Sequence, residues 1–182
     1  MIFATFAISA AAQSPVPRVA SYCSSEAAFG QKFGANRLEN EGAGINFNNS
    51  RRAFAPRGGF APFSTFDGGF TPKSHRLHSA QGTILLASRE ASRAVFESIV
   101  AELSADARFS EKDIPEPDVS PSGAVWRTAK FYAGNSRPDA DKPIGLRISV
   151  YFMERVSAES SIAMDCMDAE IARTAEREAL ID

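Results

Sequence analysis

The chain has 182 residues, is 44% apolar and 23% charged, and carries 20 basic against 22 acidic side chains. That length suits one domain with a sizeable core, and apolar content this high with so little net charge excludes a wholly disordered chain. No apolar run approaches the roughly 20 residues that a spanning helix needs. The slightly acidic balance speaks against a nucleic-acid binder as a description of the whole chain.

Residues 2–12 form an apolar stretch that ends in Ala10, Ala11 and Ala12, just before Gln13-Ser14-Pro15. An apolar run of that length closed by small residues is the pattern of a secretory leader. The sequence therefore predicts a signal peptide over residues 1–12, cut after Ala12, and a periplasmic or secreted protein. No Lys or Arg precedes Arg18, so the basic leading segment of such a signal is missing. A start upstream of Met1, an atypical signal, and a buried N-terminal strand or helix are the alternatives. Tyr22 before Cys23 is a poor fit to lipid attachment, where a small residue is expected.

Cys23 and Cys166 are the only cysteines. In an oxidising compartment an even count invites one bridge, which would tie the start of the mature chain to the last predicted helix. Two unpaired buried thiols are the second reading, and a reactive or metal-binding thiol at Cys166 is the weakest. Asp165 and Asp168 beside it would disfavour the thiolate.

Residues 13–73 form a Phe/Gly/Arg-rich segment expected to fold with residues 74–182 as one domain. Phe29-Gly30 recurs as Phe33-Gly34, and Gly58-Gly59-Phe60-Ala61-Pro62 recurs as Gly68-Gly69-Phe70-Thr71-Pro72. Glycine permits a turn, the aromatic ring supplies burial, and proline removes a ladder donor. Short strands and loops with Phe rings as plugs are the expectation. Arg51, Arg52 and Arg57 lie beside Phe54 and Phe60, a small basic–aromatic interleaving. An ordinary solvated face is the first reading, contact with an anionic envelope surface the second, and RNA the last in an exported chain. The charge is also polarised: residues 1–97 sum to +4 and residues 98–182 to -6.

Further along, Ser74–Ala87 reads as extended, with a turn or bulge at Gln81-Gly82. Ser88 then caps a helix over Arg89–Ala105, in which Val95, Phe96, Ile99, Val100 and Leu103 make one apolar stripe and Arg93 faces Glu97. Residues 106–123 form a polar, proline-bearing connector. Ala124–Ala133 and Ile144–Val156 read as an antiparallel pair of strands; in the second, Leu146, Ile148, Val150 and Phe152 alternate with Arg147, Ser149, Tyr151 and Met153. Trp126, in mid-strand, is expected in the core. A final helix is predicted over Ala158–Leu180, with Met164, Met167, Ile171 and Ala175 on one face. The fold class is α+β, an antiparallel sheet with two helices packed on it in the order meander-β-α-β-β-α. A ferredoxin-like variant is the alternative.

Motifs for phosphate, zinc or a nucleophilic serine are absent from the sequence. His75 and His78 are the only histidines. Spaced by three on a strand, they point to opposite faces unless a bulge realigns them. A small hydrolase would use His75 or His78 as base for Ser74 or Ser79, with Asp67 orienting the ring.

The Phe29–Gly34 repeat, the Phe70-Thr71-Pro72-Lys73-Ser74 entry into a strand, the amphipathic helix and the strand ending near Tyr151 together resemble small exported bacterial domains of unknown function. The resemblance implies an envelope location and no catalytic residues. The expectation is thus a non-enzymatic periplasmic or secreted binding domain, without cofactor, metal, nucleic acid or stable membrane insertion. Its partner would be a protein or envelope component, met by Arg51, Arg52, Arg57, Phe60 and Phe63, where aromatic and Arg side chains concentrate binding energy. A structural or assembly subunit of the envelope is the remaining alternative.

Overall fold

The structure, a computed structural model, describes residues 19–24, 26–36, 60–154 and 160–180, with 46–48 and 51–53 as backbone only. The expected signal peptide, residues 1–12, lies outside them, as does Arg57.

A short helix, α1 (Val19–Tyr22), leads into a two-stranded hairpin, β1 (Ala27–Ala28) and β2 (Gln31–Lys32). Its two-residue loop, Phe29-Gly30, has positive φ at both positions, 49° and 75°, as a type I′ turn requires. A nine-stranded sheet then forms from β3 (Asn46–Asn48), β4 (Arg51–Ala53), β5 (Thr65–Phe70), β6 (Leu77–Leu86), β7 (Phe109–Asp113), β8 (Asp118–Val119), β9 (Val125–Ala133), β10 (Leu146–Glu154) and β11 (Ser160–Asp168). Its spatial order is β3-β4-β5-β6-β11-β10-β9-β7, with β8 also pairing β9, and every pairing is antiparallel. Two longer helices are α2 (Arg89–Ala105) and α3 (Ala169–Ala179). The α+β class with an antiparallel sheet and two packed helices is what forms.

α2 starts where the sequence places it: Ser88 is extended and its side chain accepts from the Ala91 amide. Phe96, Ile99 and Leu103 are buried, with Val95 and Val100 packed beside them. Each such large apolar side chain contributes about 1.5–3 kcal/mol by leaving water. They meet the core face of the sheet, formed by Ile148, Val150 and Phe152 of β10 and Ile162, Met164 and Cys166 of β11. At the other end of that face Phe29, Phe60 and Phe63 close on one another, with centroids 4.9 Å apart for Phe29–Phe60 and 5.4 Å for Phe60–Phe63. Gly82 leaves room for them: a Cβ there would lie 2.9 Å from Phe63 Cγ and 3.3 Å from Phe29 Cζ.

Three expectations are corrected. Residues 160–168 are a strand, and helix begins only at Ala169. Ser160, Ile162, Met164 and Cys166 are buried in strict alternation, and this period of two wins over the helical spacing of Met164, Met167 and Ile171 because β6 and β10 hydrogen-bond both edges. The pair Cys23–Cys166, with Cα atoms 5.7 Å apart, therefore joins α1 to a central strand rather than to the last helix. Phe109–Asp113, expected as part of a connector, is the edge strand beside β9.

A candidate binding surface on the open face of the sheet

Because side chains alternate, the antiparallel register fixes what the second face of the sheet displays. Four rows run across the strands. The first holds Leu85, Ser161, Met153 and Trp126; the second Thr65, Thr83, Ala163, Tyr151 and Thr128. The third holds Asp67, Gln81, Asp165, Ser149, Lys130 and Asp113, and the fourth Gly69, Ser79, Met167, Arg147 and Tyr132. α2 packs on the opposite face, and α3 sits at the ends of β6 and β11, where the Ala169 amide bonds to Gly145 O. The first two rows keep large apolar groups in water: Leu85 is 60% exposed, Trp126 47% and Tyr151 40%. Trp126 is thus a surface residue and not part of the core. It occupies the outward position of β9, while its strand neighbours Ala129 and Phe131 point inward and are fully buried.

The fourth row is covered. Arg147 donates from Nε and Nη2 to Ser136 O, at 3.1 and 3.0 Å, and the Arg137 guanidinium lies 5.4 Å over the Tyr132 ring. Exposed apolar surface is therefore confined to the Leu85–Trp126 side of the face.

The two histidines lie at the other margin. His75 has φ 54° in the turn before β6, while β5 and β6 slip register between Gly69–Ser79 and Phe70–Leu77, which makes His78 the extra residue of a bulge. The bulge falls there and not at Gln81-Gly82, which lies in unbroken strand. The slip turns the His78 ring toward Gly69: a Cβ on that glycine would lie 2.8 Å from His78 Cε1 and would also strike Ser79 Oγ. Ser79 and His78 are thus neighbours, and Asp67 stands two residues along β5 on the same face. Ser79 itself is only 5% exposed, so its hydroxyl is closed to a substrate in this arrangement. A cleft of about 370 Å³ lies elsewhere, lined by Arg89, Glu90, Arg93, Ala94 and Glu97. Among the described residues, no three His, Cys, Asp or Glu side chains converge to hold a metal.

Beneath that cleft sits Glu154, fully buried at the end of β10 and ion-paired with Arg89 and with Arg93, the latter at 3.1 Å. Arg93 therefore reaches into the sheet. The expected pairing with Glu97 along the helix gives way to a buried carboxylate, where the local dielectric strengthens attraction.

Of the five expected contact residues, Arg57 lies outside the described ones, and the other four fall in two places. Arg51 and Arg52 lie in β4, paired with Gly69 and Gly68 near one end of the sheet. Phe60 and Phe63 are 3% and 6% exposed and stack within the core, so they anchor the segment and present no surface to a partner. The physical reason is the gap at Gly82, which the Phe63 ring fills. What sequence reasoning missed was the Trp126–Tyr151 patch, although the alternation of β10 already put Tyr151 and Met153 on the face opposite Val150 and Phe152.

Comparison with protein-family models, with characterised proteins and with solved structures finds no match to this chain.

Proposed function

We propose that this chain is a non-enzymatic domain of the periplasm or extracellular space that binds a protein or envelope component through the uncovered face of its sheet. The observation that carries the reading is the one-sided layering, which leaves Leu85, Trp126 and Tyr151 in water on one plane. Clustered exposed apolar groups of this kind mark interaction sites, and Trp and Tyr are the side chains that most often dominate binding energy. The paired Cys23 and Cys166 suit an oxidising compartment. Among the described residues no helix is long and apolar enough to cross a membrane.

The test is site-directed capture in the producing cell. With p-benzoylphenylalanine at position 126 or 151, light should yield a covalent adduct, and the same group at position 98 on α2 should not. Adducts from position 98 alone, or none from the sheet face, would overturn the reading. The hydrolase alternative draws its support from the closeness of His78 and Ser79 at Gly69. It requires that Ser79→Ala abolish turnover of an ester substrate by the folded protein.

A further inference from the structure

We infer that the partner of this face is a protein segment rich in arginine or lysine, with its cationic side chains set among apolar ones. The inference rests on the binding reading above and names the chemistry of the occupant.

Charge supplies the reason. In the three open rows the charged residues among those described are Asp67, Asp113, Asp118, Asp165 and Lys130. Asp118 joins the first row through β8, where it stands directly across from Trp126, and Asp113 stands across from Lys130 in the third. Four carboxylates against one ammonium give the apolar strip an acidic border. β7 to β11 also belong to the half of the chain that sums to -6. Such a field attracts a cationic partner and repels a phosphate-bearing or anionic one. A second copy fits less well, because it would bring the same acid to both sides.

The geometry says where the cations go. Both carboxylates at the β9 edge are in water: Asp118 is exposed, and Asp113, itself 50% exposed, holds Lys130 only loosely at 3.9 Å. Trp126 lies beside Asp118, and Tyr151 lies one row on in β10. An arginine or lysine head over the indole would meet the negative face of the ring and the Asp118 carboxylate together, while its methylene stem covers the ring. Leu85 and Met153 take apolar groups in the same row. From β6 to β8 that row crosses four gaps of about 4.8 Å, roughly 19 Å, which an extended segment of about six residues spans. The apolar strip alone would accept any apolar surface and the carboxylates alone any cation. Their adjacency selects a segment that carries both. Contact of that kind is sensitive to salt.

The probe is an octapeptide of four arginines and four leucines, with a glutamate–leucine octapeptide as its counterpart. Titrated into the full purified chain, the first should give a binding heat and shift the emission of Trp126, the only tryptophan, and the second should do neither. Asp113→Asn with Asp118→Asn should weaken binding at least about fivefold, as should a rise from about 50 to 300 mM salt. Glu97→Gln with Glu176→Gln changes net charge equally away from the face and should leave binding intact. Asp113→Lys with Asp118→Lys should move the preference to the glutamate peptide. In the cell, p-benzoylphenylalanine at position 151 should attach to a basic segment of another protein, in a yield that Asp113→Asn with Asp118→Asn lowers. An adduct that persists through those changes, or that is an acidic segment, a lipid or a second copy, would overturn this inference and leave the binding reading standing. Peptide binding that falls as much on changing Glu97 and Glu176 would overturn it too, since that is attraction to net charge alone. No capture at the face and no peptide binding would remove inference and reading together.

Discussion

Glu178 and Ser74 are 104 residues apart in the chain and joined by a short bond: Ser74 Oγ donates to Glu178 Oε1 at 2.6 Å. Oε2 of the same carboxylate accepts from the backbone amides of Lys73 and Ser74 at 2.7 and 3.0 Å. One side chain at the end of α3 thus closes the turn that launches β6. Those three donors, the Ser74 hydroxyl first, hold the Glu178 carboxyl below its ordinary pKa. A lowered carboxylate pKa contributes stability that is present above the unfolded value and is lost as pH falls through the folded one. Acidification below about pH 4 should therefore loosen the turn. Thermal midpoints followed from neutral to acid pH should fall less steeply for Glu178→Gln than for the parent, with the two curves meeting at the acid end. Parallel curves would show that the bond carries no linkage.

Asp168 is the opposite case. Its carboxylate accepts from the amides of Glu170 and Ile171 at 3.1 and 3.0 Å as the cap of α3, yet burial dominates and raises its pKa. For a carboxyl group raised in the fold, stability is greatest below the unfolded pKa and declines as pH climbs through the folded value. Asn keeps the cap and removes the charge. Asp168→Asn should match or exceed the parent at pH 7, with an advantage that shrinks on acidification. Asp168→Ala should lose about 1 kcal/mol in urea unfolding, the usual cost of a missing cap.

Glu154 tests the buried end of β10. Removing a fully buried carboxylate leaves a void and takes the partner from two half-exposed arginines, so Glu154→Ala should cost about 2 kcal/mol or more. Arg93→Ala should cost about 1 kcal/mol or less, because its head is half exposed and Arg89 still neutralises the carboxylate. Replacing both arginines should cost more than the two single changes together, since only then is the buried charge unpaired. Denaturation of the four variants in one urea series decides it.

The cysteine pair spans 143 residues. In the chain-entropy account a loop of that length restrains the unfolded state by about 5 kcal/mol, and removing native bridges from small domains typically costs about 2–5 kcal/mol. Cys166→Ser should lower the denaturant midpoint accordingly, and reductant should do the same to the parent while leaving the variant unchanged. Intact mass after alkylation without reductant should show no added alkyl group, and after reduction two.

The parts legible in the sequence are those whose signal is local. Ser88 and the stripe Phe96, Ile99 and Leu103 mark α2 to the residue, and the alternation around Val150 marks β10. The segment from Ser160 was misread because Met164, Met167 and Ile171 fit a helical face while Ser160, Ile162, Met164 and Cys166 fit a strand. Short apolar runs satisfy both periods, and the arbiter was pairing with distant β6 and β10, which no local window contains. The exposed Leu85–Trp126 patch was hidden for a related reason. Phe60 and Phe63 carry the composition of a contact site, but a glycine some twenty residues on, Gly82, makes the space that takes their rings inside. Trp126 carries the composition of a core residue, but its parity in β9 turns it outward.

Among the described residues, the strand at the middle of the sheet, β11, follows all the others in sequence. Until Ser160–Asp168 has left the ribosome, β6 and β10 have no common neighbour and Cys23 has no sulfur to meet. β6 and β10 each wait, with one edge unpaired, for the strand that joins them. A sheet whose two halves are joined by a strand made after both stays open along its middle until that strand arrives.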